Sequence, residues 1–185
     1  MKRLNQTLAV AAIAVAMSAP AFSETVRVGG EAMYANKTIV GNAVHSKDHT
    51  TLVAAVKAAG LVDTLNGPGP FTVFAPVNAA FAELPAGTVD MLLKPENKAA
   101  LAKVLTYHVV PGAYTTTKLR SMILAGDGQA SLKTVEGETL TLMMNGSTNI
   151  LVKDAKGDVA DITISDVTQS NGVIQVIDKV LMPAA

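Results

Sequence analysis

Apolar positions follow two rhythms along this chain, with the change near residue 112. Residues 38–44 place Ile39, Ala43 and Val44 on one side of a short helix. Thr50 or Thr51 is placed to cap a second helix, whose Leu52, Val53 and Val56 make an apolar stripe ending at Gly60. Residues 61–65 add another helical turn before Asn66-Gly67-Pro68-Gly69-Pro70 breaks all regular structure. Residues 71–75 read as a strand, stopped by Pro76 and followed by a small helix carrying Phe81. Pro85-Ala86-Gly87 separates that helix from the segment 88–93. Pro95 suits the first position of a longer helix running to about Thr106, because its missing N–H would have no helical partner there. Ala99, Leu101, Ala102, Val104 and Leu105 supply its buried face.

Past Gly112 the pattern turns to β. Residues 130–135 and 138–144 flank Glu136-Gly137 as a hairpin, and 150–153, 160–166 and 173–178 complete a strand-rich second half. Helices early and an antiparallel sheet late give one α+β domain. Residues 24–37 are polar and glycine-containing, an ordered lead-in or a flexible arm.

Residues 1–23 follow different rules. Lys2 and Arg3 precede an unbroken apolar run from Leu8 to Met17, and small residues offer cleavage after Ala21 or Ser23. This is the layout of a secretory signal peptide, and the run is well short of the ~20 residues a membrane span needs. Its removal leaves roughly 160 residues, the size of one ordinary domain able to bury a self-sufficient core. The chain has no cysteine, so packing alone must hold an exported fold and thiol chemistry is ruled out. Acidic and basic residues balance at 15 each, and losing Lys2 and Arg3 tips the mature chain slightly acidic. That leaves no electrostatic footprint for nucleic acid and no basic block for an anionic membrane.

Candidate chemistry is sparse. His45 and His49 have the i, i+4 spacing of a helical metal pair, but they lie between helical patterns with no evident third ligand. Asp154-Ala155-Lys156-Gly157-Asp158 lacks the alternating oxygens and closing glutamate of a calcium loop and reads as a turn. Asn36-Lys37-Thr38 and Asn145-Gly146-Ser147 fit the N-glycosylation pattern, but the alanine-rich leader looks bacterial. Met143, Met144 and Met182 read as packing residues that could also line an apolar groove. Tyr107-His108 combines an apolar ring and polar tip with a group that titrates near neutrality. It either closes a helix from inside or meets a partner. No nucleophile or orienting carboxylate is recognisable around it, so no enzyme and no cofactor is expected.

Three segments do carry a pattern. Residues 69–81 (Gly-Pro-Phe-Thr-Val-Phe-Ala-Pro-Val-Asn-Ala-Ala-Phe), Leu105-Thr106-Tyr107-His108-Val109-Val110-Pro111-Gly112, and 171–181 (Asn-Gly-Val-Ile-Gln-Val-Ile-Asp-Lys-Val-Leu) resemble, in order, the signature blocks of the fasciclin-like domain. The resemblance covers about residues 38–183. It implies a wedge of two β-sheets packed with several α-helices. It also implies a secreted, non-enzymatic module recognising a protein or polysaccharide partner at the cell surface or extracellular matrix, here in the periplasm or outside. In animal members the Tyr-His block and an Asp-Ile pair are implicated in integrin recognition. The matching residues are Tyr107, His108, Asp166 and Val167, valine standing in place of isoleucine. Gln175 occupies a position that is histidine in many relatives, which removes a paired-histidine site. Some relatives bind carotenoids, so the alternative implied is a carrier of a small apolar ligand.

Overall fold

The computed structural model describes residues 25–184; the proposed signal peptide lies outside them. The three signature segments are adjacent strands. β3 (Phe71–Pro76) pairs parallel with β9 (Gly172–Ile177) and antiparallel with β4 (Val109–Pro111). The sheet continues through β8 (Val159–Gln169), β7 (Asn149–Lys153), β6 (Thr139–Asn145) and β5 (Gln129–Lys133), in the order β4-β3-β9-β8-β7-β6-β5.

The expected pair of sheets is present as two halves joined by one long strand. Residues 159–161 of β8 pair with β7 and residues 162–169 pair with β9. Register shifts at Ile162/Ile164 and Ile164/Val167 mark bulges, which bend a strand and raise its twist.

Alternation along the central strands serves two cores. From β3, Val73 and Ala75 enter one apolar cluster and Phe74 enters the other. The first cluster packs under α1 (Ile39–Ala43), α2 (Thr50–Ala59), α3 (Val62–Asn66) and α6 (Lys98–Tyr107). The second lies between the β5–β8 half-sheet and α7 (Thr116–Ala125). α4 (Asn78–Ala82) and α5 (Thr88–Leu92) are short and lie on the connection from β3 to α6.

Two local expectations change, and one of two open alternatives is decided. Helix α7 stands where a β pattern was expected: Thr115 begins a β-branched run but caps the helix by accepting from Lys118 N–H at 3.4 Å. Leu119 and Ile123, one turn apart, are fully buried and hold it to the sheet. The lead-in is ordered. β1 (Arg27–Val28) and β2 (Glu31–Ala32) form a hairpin, and Val28 and Met33 are buried in the first cluster. Neither threonine caps α2 with its side chain. Asn78 reaches in from α4 instead, its Oδ1 accepting from Thr51 N–H at 3.0 Å and its Nδ2 donating to the Lys47 carbonyl at 2.9 Å.

Candidate interaction site

Tyr107 and His108 close α6 from inside the molecule. Tyr107 is fully buried, with its Oη accepting from Ala155 N–H at 2.9 Å and facing the Thr139 carbonyl at 3.4 Å. Burial pushes its phenol up to about 12, against a smaller lowering by the Ala155 N–H. His108 is 2% exposed and spans two elements. Its Nε2 accepts from Leu181 N–H at 2.9 Å, which leaves the proton on Nδ1 to donate to the Val104 carbonyl at 2.8 Å. Burial pulls its imidazole down to about 4, with the Val104 carbonyl and Asp154 opposing more weakly. Asp154 ties the same end together. One oxygen accepts from the N–H groups of Lys156 and Asp158 at 2.9 Å each, the other from Met182 N–H at 2.8 Å.

Asp166 and Val167 sit on the bulge of β8. Val167 is 1% exposed and belongs to the first core. Asp166 is half-buried and takes a left-handed backbone at φ 57°, uncommon for a residue with a side chain. Its carboxylate explains why the conformation holds. Oδ1 accepts from Thr116 N–H at 2.7 Å and from Gln175 Nε2 at 2.9 Å, and Oδ2 accepts from the Thr116 hydroxyl. Gln175 Oε1 in turn accepts from the Asp166 N–H at 3.0 Å, and its Nε2 also donates to the Tyr114 carbonyl at 3.0 Å. Gln175, fully buried, is therefore the hub joining β9, the bulge and the start of α7. No hydrogen bond among the described residues links this network to Tyr107 or His108.

What Asp166 does border is a surface cleft of about 340 Å³, closed on the far side by residues 33–36 and on the near side by Thr168. Tyr34 stands 47% exposed at its edge, with the Lys37 ammonium 5.1 Å from the ring centre. Tyr34 was not singled out from sequence, and Asn36 only as part of a glycosylation pattern; the only available signal was an aromatic residue in an otherwise polar segment. The histidine pair separates: His45 is exposed, whereas His49 is buried and bonds Ser46 Oγ through Nδ1 at 2.9 Å.

A second feature lies under the helices. A cavity of about 150 Å³ is walled by apolar side chains of α1, α2 and α3 against Val73, Leu105 and Val109. Only His108 and the exposed Lys57 add polar residues to its lining. Met143, Met144 and Met182 lie elsewhere: Met144 packs on the second core and Met182 beside Val180.

Among known proteins, the sequence model of the fasciclin domain matches residues 47–183. Protein sll1483 of Synechocystis is 50% identical over 148 residues, covering 79% of this chain and 73% of that one. The immunogenic protein MPB70 of Mycobacterium bovis is 34% identical over 195 aligned positions, covering 95% and 92%. The transforming growth factor-beta-induced protein ig-h3 of Sus scrofa is 38% identical over 134 residues, only 17% of its own length. A solved domain pair from the insect cell adhesion molecule fasciclin I superposes with a TM-score of 0.70 at 19% identity, over 79% of this chain and 51% of that one. Three signature segments paired as neighbouring strands, a matched family model and relatives aligned over most of their length lead to one statement: the chain belongs to the fasciclin domain family.

Proposed function

We propose that this protein is an exported, non-enzymatic recognition module that binds a protein or polysaccharide partner at the cell surface or in the surrounding matrix. The observation that carries the reading is the cleft beside Asp166. A left-handed aspartate is held rigid by Thr116 and Gln175 next to an exposed aromatic ring. Rigid backbone strain fixed by surrounding bonds clusters at recognition surfaces, and tyrosine supplies contact area at low entropic cost. In this reading Tyr34 and Asp166 meet the partner, while Val167 holds the bulge from beneath. Tyr107 and His108 fix the end of α6 and the chain after β9. Export depends on residues 1–23. The relatives include a cell surface glycolipoprotein, MPB83 of Mycobacterium bovis, and no helix among the described residues is long and apolar enough to cross a membrane.

The test is capture of surface proteins and glycans by the purified protein and by Tyr34→Ala, whose side chain bears on no core. Tyr34→Ala is expected to weaken capture by at least ~2 kcal/mol, about thirtyfold, with an unchanged melting temperature. Equal capture by both forms removes this cleft from the reading.

The cavity under α1–α3 favours a second reading, a carrier of a small apolar ligand; a carotenoid would have to extend well beyond it. Protein purified from its native source should then yield an extractable hydrophobic compound by mass spectrometry, coloured in the carotenoid case. Repeated colourless, lipid-free preparations count against it.

A further inference from the structure

His49 is a buried titratable side chain that the recognition reading leaves unused. It is 3% exposed, its Nδ1 is bonded to Ser46 Oγ at 2.9 Å, and its Nε2 meets no hydrogen-bond partner among the described residues. The Ala75 carbonyl lies near the ring without closing a bond in hydrogen-bonding geometry. An unpaired polar atom in a core carries an uncompensated desolvation cost, and a group that satisfies it recovers part of that cost. His49 also lines a small void of about 30 Å³, enough for a single water or the end of a chain but not a ring.

That void is a neighbour of the larger apolar cavity. Ile39, Ala43, Leu52 and Val73 line both, so the two are separated by one layer of side chains. The larger cavity, at about 150 Å³, holds roughly six carbons, the volume that takes up benzene in an engineered apolar core. Its outer rim carries Val44, 43% exposed, where a longer ligand could continue into solvent.

We propose that movement of these shared side chains joins the two cavities into one site for an uncharged, linear hydrocarbon ending in a hydroxyl group, the chain lying among α1, α2 and α3 and the hydroxyl bonding His49 Nε2. The hydroxyl follows from the histidine. If Ser46 donates to Nδ1, Nε2 carries the proton and donates; if Nδ1 donates to Ser46, Nε2 accepts. A hydroxyl is satisfied by either arrangement, a carbonyl by only one. The absence of charge follows from the walls. A carboxylate placed there would be buried among aliphatic groups, with Lys57 exposed outside, and would lose its hydration without a partner. This inference rests on the carrier reading and adds to it the polar end of the ligand and its anchor.

The test compares hexan-1-ol with hexane by calorimetric titration of the purified protein and by nitrogen resonances of the His49 ring. Hexan-1-ol is expected to move the Nε2 resonance and hexane to leave it in place. His49→Leu should weaken the alcohol relative to hexane by about tenfold, the scale of one buried hydrogen bond. Should His49→Leu fail to fold, the ring resonances of the unaltered protein decide. Binding of both compounds with Nε2 unmoved overturns the anchor, with water as its partner, and leaves the carrier reading standing. Binding of neither overturns both.

Discussion

At the scale of single residues, His108 shows how a family signature can be structural and still leave a measurable mark. Its neutral ring bridges Val104 and Leu181, and protonation of Nε2 would turn the acceptor for the Leu181 N–H into a second donor. The unfolded chain takes up this proton near 6.5, whereas the folded protein resists until about 4. Between those values the unfolded state binds more protons, so stability is intact above pH 6.5 and falls as pH drops toward 4. The fall attributable to this residue is up to ~3 kcal/mol. His49, also shifted down by burial, acts in the same direction. Urea unfolding from pH 7 to 4 should show a decline in the natural protein that is shallower in His108→Gln, whose amide can still bond both partners. Parallel slopes in the two proteins would show that His108 is not the group resisting protonation.

Elements were legible in the sequence where one physical signal dominated. The apolar run Phe71–Pro76, bracketed by prolines and glycines, could only be a buried strand, and Gln129–Lys133 with Thr139–Asn145 alternate cleanly about their turn. Helix α7 was hidden because Thr115, Thr116 and Thr117 favour strands locally, and only the burial of Leu119 and Ile123 one turn apart overrides them. The β1–β2 hairpin was hidden because its stability is tertiary. Two strands of two residues cannot persist alone, and they are held here by Val28 and Met33 entering the core. Gly29 fits against Ser46 and the backbone of Lys47 and Asp48, where a side chain would collide. The candidate site divides the same way. Tyr107, His108, Asp166 and Val167 were reachable by resemblance, but the left-handed turn at Asp166 depends on Gln175 and Thr116, distant in sequence. Tyr34 reaches the cleft only because the hairpin folds back, which no local pattern announces.

On the scale of the whole molecule, the decisive feature is that two cores share the same central strands. Phe74 points into the α7 side while Val73 and Ala75 on either side of it point under α1–α3, and Ile174, Val176 and Ile177 of β9 repeat the division. Neither core has a wall of its own at this position. A loss on one face must therefore loosen the strand that the other face packs on, and a domain of this size without independent halves unfolds in one step. Phe74→Ala removes a fully buried ring and should cost about 3–5 kcal/mol. The same variant should lower the urea midpoint equally at Leu52 in α2 and at Ile123 in α7, followed by their NMR amide signals. If only the Ile123 signal shifts to lower urea while Leu52 keeps its midpoint, the cores are separable and the shared strands do not couple them.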